Sequence, residues 1–292
     1  MSKVALIGKQ GRGENITQAL SLVGDNFISK FHAAKKPLIK VNFVSSTRQL
    51  AATHVDAVRT VLNFLLPYTD KKITIAEASV RNTKTGFENF GYTELQKDYE
   101  QIELVDLNGT QTEEHAGFSL SKIVLDSDFR ISIGPPKTHD TTIITAAMKN
   151  MAVGSIITGE GVLGRHLRSG FHQGSYRDSN KRLVDIYQFV FPHLAVVDGF
   201  LGMQGSGPSS GDPVESDWAL VGTNAVEVDA VCAYLVGYAP EDIGYLWFAQ
   251  EKGLGKIDLS EIEIEGDEPE QLRREFANHP NYVSELSWRE HA

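Results

Sequence analysis

The chain has 292 residues and a formal net charge of -10, from 28 basic and 38 acidic side chains, with a pI near 5.4. That balance argues against a nucleic-acid partner and against an anionic membrane surface, since both recruit basic faces. Cys232 is the single cysteine, so this chain can form no intrachain disulfide and can bind no iron–sulfur cluster through its own cysteines.

From residue 4, only four apolar residues run together before Gly8, too few for the core of a secretory signal. No apolar run reaches transmembrane length, so a cytoplasmic location is expected. In chain order, residues 4–7, 38–44, 73–76 and 102–106 read as strands, and residues 16–27, 54–66 and 86–97 as amphipathic helices between them. This alternation is that of βαβ units. After a polar stretch at 108–116 come a strand at 129–134, a helix from about Asp140 to Met151, and a strand at 194–198. Glycine-rich residues 199–211 follow, then helices at 225–235 and 240–252, a short strand at 261–265 and a polar helix at 268–277. The expected fold is α/β, a mostly parallel sheet with helices on both faces, either one large domain or two lobes with a cleft at the strand carboxyl ends. The division would be 1–110 for a βαβ-type lobe, 111–265 for a second α/β lobe with glycine-rich and basic loops, and 266–292 for a polar helix and tail.

In open parallel sheets ligands gather beyond the strand carboxyl ends, where loops converge and helix amino termini point inward. That rule selects Lys40 and Asn42, Glu77, the exit Pro135-Pro136-Lys137-Thr138-His139, and Asp198. The two prolines stiffen the exit and fix where Lys137 and His139 point. A lysine there suits a phosphate or carboxylate, and a histidine can serve as acid, base or metal ligand. If a helix ran from Asp140, its rise would set Lys149 and Asn150 roughly 12 to 15 Å from its start, against a different part of any ligand. Residues 154–180 read as an irregular loop; Arg165, His166, Arg168 and His172 reverse the local charge there and could wall an anion site.

Gly205 and Gly207 permit close backbone approach to a ligand. Gly207-Pro-Ser-Ser-Gly211 fits G-x-S-x-G formally but lacks the strand before and the helix after that a nucleophile elbow needs. Residues 8–13 are placed like a phosphate-binding turn yet match neither common glycine pattern. Asp229 lies in an apolar helix and needs a partner there; cap, salt bridge and metal ligand are all open. With no zinc-type spacing, a divalent metal would need dispersed groups, with Asp198, Asp229 and His166 as the candidates. Cys232 reads as a small buried apolar residue.

The order of these stretches resembles the uncharacterised family known as domain of unknown function 362. The likeness rests on Leu38-Ile-Lys-Val-Asn42, Phe90-Gly-Tyr92, Val105-Asp-Leu-Asn108, Pro136-Lys-Thr-His139, Met148-Lys-Asn150, Val197-Asp-Gly199, Gly205-Ser-Gly-Pro208 and Val228-Asp-Ala230. It implies functional roles for Lys40, Asn42, Lys137, His139, Lys149, Asn150, His166, Asp198 and Asp229. Many relatives carry a ferredoxin-like four-cysteine module, which implies redox or metallocofactor chemistry; here any such cluster would belong to an iron–sulfur partner protein. Two functions are expected on this basis. One is an enzyme or enzyme subunit acting on an anionic small molecule, with His139, Lys137 and Asp198 catalytic and Lys40, Asn42, Lys149, Asn150, Arg165, His166, Gly205 and Gly207 binding. The other is a non-catalytic cofactor or metal carrier for an iron–sulfur partner.

Overall fold

The computed structural model describes residues 3–158, 168 and 170–290. Its first half runs β1 (Lys3–Gly8), α1 (Arg12–Ala33), β2 (Pro37–Lys40), α2 (Val55–Leu65), β3 (Ile73–Glu77), α3 (Thr83–Asn89), α4 (Tyr92–Asp98) and β4 (Ile102–Asp106). A hairpin of β5 (Thr112–His115) and β6 (Phe118–Ser121) leads through α5 (Lys122–Leu125) to β7 (Phe129–Gly134). Then come β8 (Lys137–His139), β9 (Ile143–Thr145), α6 (Ala147–Ala152), α7 (Tyr176–Val190), β10 (Leu194–Gln204) and β11 (Asp212–Gly222). The chain closes with α8 (Ala225–Leu235), α9 (Gly244–Glu251), β12 (Glu263–Gly266), α10 (Pro269–Leu272) and α11 (Tyr282–Glu285). Among the described residues no helix is long and apolar enough to cross a membrane.

The main sheet has the order β12-β1-β11-β10-β7-β2-β3-β4, with β8 paired to β10 and β9 paired to β8. Pairing is parallel from β10 through β7, β2 and β3 to β4, and again between β1 and β12. It is antiparallel where β11 meets β1 and β10, and between β8 and β9. The sheet is thus mixed but mostly parallel, and the fold is α/β. Alternate side chains divide between two cores, as a pleated strand requires. On β10, Leu194 and Val196 enter the core shared with α1 and α2, while Ala195 and Val197 enter the one shared with α6 to α9.

From β2 the chain builds outward to β3 and β4, then returns to place β7 and β10 on the other side of β2. The strand order reverses between β7 and β2. A right-handed crossover puts its helix on one face when the order advances and on the other when it reverses, which accounts for α2 to α4 and α6 to α9 lying on opposite faces. The reversal point is also where a crevice opens at the strand carboxyl ends.

Several expected elements differ. The strand at 38–44 stops at Lys40, because the Asn42 amide donates to Thr53 Oγ1 (2.8 Å) rather than to a neighbouring strand. The strand at 194–198 continues to Gln204 and forms a long hairpin with β11, a strand not expected from the glycine-rich sequence before it. Within 154–180, Ser175 and Asp178 form a capping box that starts α7. The polar helix at 268–277 is only the short α10; beyond it Arg274 and Phe276 donate backbone bonds to Leu235 and Val236 (2.7 and 2.9 Å) and run extended.

The helix expected from Asp140 is replaced by the β8–β9 hairpin, and α6 starts only at Ala147. Its start is fixed by Asp229 of α8, whose carboxylate accepts from the Ala147 and Met148 amides (2.8 and 3.0 Å) and from the Tyr245 hydroxyl (3.2 Å). These amides are among the donors that every helix start leaves unpaired. Burial lifts the Asp229 carboxyl to about 7 against the pull of these donors. Asp229→Ala should therefore cost about 2–4 kcal/mol, since it strands buried donors as well as losing a cap. Asp229→Asn should cost less, and urea denaturation of both variants measures the difference.

Candidate functional site

The site begins at the carboxyl ends of the two strands beside the reversal point. Lys40, the last residue of β2, points to the α6 side and is fully buried. Its ammonium is paired with Glu77 at the end of β3. It also donates to the Val41 carbonyl (2.7 Å) and lies 3.4 Å from Asn150 Oδ1. Burial pushes the Lys40 amine down, and Glu77 pulls it back up. Asn150 returns the contact: its Nδ2 donates to the Lys40 carbonyl and to Ser132 Oγ, both at 3.0 Å.

The exit of β7 supplies the second wall. After Pro135-Pro136, β8 pairs with β10 through Lys137 and Met203, and the tip of the β10–β11 hairpin folds over it. A Cβ at Gly207 would stand 2.1 Å from the Thr138 carbonyl oxygen, so only glycine fits there. Thr138 Oγ1 donates to the Gly205 carbonyl (2.8 Å). Lys137, buried, donates from Nζ to Asn42 Oδ1. Burial and the nearby Lys149 push its amine down to about 7. His139 Nδ1 is 3.0 Å from Asp140 Oδ1 and 3.1 Å from the Thr141 amide. Burial and Lys149 hold its ring down to about 3, so it is neutral at physiological pH. The His172 ring lies parallel to it, 8° apart in plane and 6.2 Å between centroids, and is held down to about 4 by burial and Lys149.

Lys149 completes the set. It stands on α6, 5.4 Å from the centre of the Phe171 ring, and burial lowers its amine to about 8. Among the described residues nothing accepts a hydrogen bond from it. Arg168 lies nearby with a buried Nε that has no described partner. Together Asn42, Glu77, His139, Lys149, Asn150 and Arg168 help to line a cavity of about 450 Å³, whose apolar wall includes Phe43 and Val153. With the hairpin reversal at 140–142 in place of a helix from Asp140, Lys149 and Asn150 line the same cavity as His139. Ile143, with φ of 64°, makes that reversal, a strained value for a β-branched residue.

The other expected residues lie apart. Asp198 sits on the opposite parity of β10 from Val197, bound to Arg12 at 2.8 Å, and it does not line the cavity. Asp229 caps α6 as described. Arg165 and His166 fall outside the described residues. Gly205 and Gly207 act through the backbone of the hairpin tip, whose Pro208 reaches the cavity. Among the described residues no group of three or more histidine, cysteine and carboxylate side chains has the arrangement of a metal site. In the turn at 8–13 the anion is the chain's own: Asp217 Oδ1 accepts from the Gly11 amide and Asn15 Nδ2, at 3.1 and 2.9 Å. Cys232 is buried.

Arg81, Val80 and Thr145 also line the cavity and were not expected. Val80 and Arg81 follow β3 directly, so the strand-end rule reaches them once it is extended past Glu77. Thr145 depends on the unexpected hairpin and had no sequence signal.

A family model described as a domain of unknown function, DUF362, matches residues 38–234. A thylakoid-associated protein of Synechocystis sp. is 25% identical over 174 residues, covering 57% of this chain and 51% of that protein. The chain thus spans about half the length of this curated relative. Among solved structures, the lactate racemase apoprotein from Thermoanaerobacterium thermosaccharolyticum superposes with a TM-score of 0.48 at 14% identity, over 78% of this chain and 56% of that one. A Thermotoga maritima protein gives 0.42 at 12% identity, over 71% and 55%.

The lowered lysines have a consequence for pH. Unfolded lysines titrate near 10.5, whereas folded Lys137 releases its proton near 7. Between these values the unfolded chain binds more protons, so the Lys137 contribution to stability rises with pH across that window and is flat below it. The stability difference between wild type and Lys137→Met, from urea midpoints at pH 7, 8 and 9, should grow in favour of wild type by at most about 1.4 kcal/mol per pH unit. A difference independent of pH would mean that Lys137 keeps an ordinary value.

Proposed function

The chain belongs to the DUF362 family, and we propose that it is an enzyme or enzyme subunit that binds an anionic small molecule in this cavity and moves a proton on it. The reading rests on one observation above all: Lys149 brings a buried amine to the cavity, and no described residue accepts a hydrogen bond from it. A buried ammonium without a partner is costly. Among the described residues the one carboxylate in the lining, Glu77, is already engaged by Lys40, so Lys149, Arg168 and Arg81 leave net positive charge facing the space from these residues. A ligand carboxylate or phosphate offsets it.

In this reading Lys149 and Arg168 hold the anion. Lys137 does not itself line the cavity, but its Nζ lies against Asn42, which does; in this reading it is the proton-transfer group, because its amine changes charge near neutral pH, where a general base or acid is most effective. His139 serves as a neutral imidazole, hydrogen-bonding to the reacting group without carrying charge, since its proton affinity is too low for it to be the principal base. The apolar wall about Phe43 and Val153 accommodates the carbon skeleton and lowers the local dielectric, which strengthens the ionic contacts.

Lys149→Met keeps the length of the side chain and removes the charge. Without ligand the variant should melt at or above the wild-type temperature, because a buried unpaired charge is gone. Its stabilisation by phosphate or short carboxylates should be lost, where wild type gains about 2.7 kcal/mol at 100 times Kd. Retention of the full anion-induced shift would sink the proposal.

A further inference from the structure

A second cavity, of about 650 Å³, adjoins the first and shares His139, His172 and Pro208 with it. Its chemistry is the reverse. Among the described residues no lysine or arginine lines it, and Asp140, half exposed, is the one formally charged side chain. Hydroxyl groups make up much of the rest; those of Tyr176 and Ser209 have no fixed acceptor among the described residues, but the protons of four others are committed. Ser179 donates to the Phe171 carbonyl (3.2 Å), Ser287 to that of Ser284 (2.7 Å), and Ser175 to Asp178 (2.8 Å). Thr141 donates to Asp140 (3.0 Å), so its oxygen accepts from His172 Nδ1 (3.2 Å). Neutral His172, with its proton on Nδ1, keeps Nε2 as an acceptor. A hydroxyl whose proton is used offers only lone pairs. The outer chamber therefore recognises hydrogen-bond donors and positive charge, while the inner one recognises anions.

We infer that the ligand is two-ended: a carboxylate or phosphate lodges by Lys149 and Arg168, and an ammonium group at the other end of the same molecule lodges by Asp140 and the hydroxyl oxygens. The His139 and His172 rings, shared by both cavities, then flank the middle of the molecule. An uncharged polyol would satisfy the hydroxyl oxygens but bring no cation to the half-exposed Asp140 carboxylate, which Thr141 and Lys149 meet only in part, so the ammonium is the better match. This inference rests on the anion-binding reading and adds the class of the ligand to it.

The test compares ω-amino acids with plain carboxylic acids of the same length, four, six and eight carbons, by calorimetric titration of the full chain. For at least one length the amino acid should bind about tenfold tighter to wild type, a gain of about 1.4 kcal/mol. Asp140→Asn should remove that preference, with the plain acid binding at least as tightly as to wild type because the negative charge beside Lys149 is gone. Asp140→Lys should reverse it, favouring the dicarboxylate of matched length. Equal binding of amino and plain acids to wild type at every length would overturn the two-ended ligand alone. So would a preference that survives in Asp140→Asn while the variant keeps its wild-type melting temperature. If wild type binds no carboxylate at all and Lys149→Met behaves identically, the anion reading itself fails and this inference falls with it.

Discussion

The buried pair of Lys40 and Glu77 is the interaction on which the rest of the site depends. Removing two charges from water costs several kcal/mol per ion, and a pair in the interior is tolerable only when its remaining protons and lone pairs are met. Here the three ammonium protons have three acceptors, in Glu77, the Val41 carbonyl and Asn150 Oδ1. Asn150 in turn grips the β2 backbone and Ser132 of β7, and Ser132 Oγ donates to the Ala147 carbonyl (3.1 Å). The pair therefore fixes α6 against two adjacent strands. A Cβ at Gly154 would stand 2.6 Å from Lys40 Nζ, so the chain after α6 must also be glycine to pass the ammonium. Breaking either charge would loosen the helix that carries Lys149.

The facing wall is set by backbone contact rather than by charge. Two prolines lead into β8, the glycine hairpin tip closes on Thr138, and Ile143 turns the chain back in a conformation that β-branched residues avoid. Strain of this kind costs about 1–3 kcal/mol and persists only where the surroundings impose it. The surroundings here are specific: Asn281 Nδ2 donates to the Asp140 carbonyl (3.2 Å), and the buried Glu285 carboxyl lies beside the Ile143 amide, its value pushed up to about 8 by burial. The carboxy-terminal segment thus holds the turn that presents His139. It lies beyond residues 38–234, where the family resemblance ends.

What could be read from the sequence follows from which interactions are local. The parallel strands are legible as apolar runs, and the strand-end rule points to Lys40, Asn42, Lys137 and His139, which the fold places at the strand carboxyl ends. The β8–β9 hairpin was not legible, because its three-residue strands have no measurable period and Asp140-Thr-Thr reads equally well as a helix start. The β11 strand was hidden by the glycines before it, although Val214, Trp218 and Leu220 share one parity. Ser175-Tyr-Arg-Asp178 did carry a capping signature, obscured by the glycines and basic residues around it. Asp198 was selected by position at a strand end, but position along a strand does not settle which face a side chain takes. Parity does, and it puts Asp198 with Arg12.

The treatment of buried cations across the molecule bears most directly on function. Arg130, remote from the cavity, donates to the carbonyls of Phe191 (2.9 Å) and Ser127 (2.8 Å) and lies over the Phe191 ring. Lys40 has a carboxylate, a carbonyl and an amide oxygen. Lys137 has Asn42. Where a buried cation serves the fold, the chain surrounds it with acceptors, as the cost of an unmet donor demands. Lys149 departs from that rule among the described residues, and Arg168 departs from it at Nε; both face the same space. A fold able to satisfy Lys40 against the same helix had the means to satisfy Lys149 as well. In the proposed reading, the acceptor that Lys149 lacks among the described residues is the one that a ligand brings.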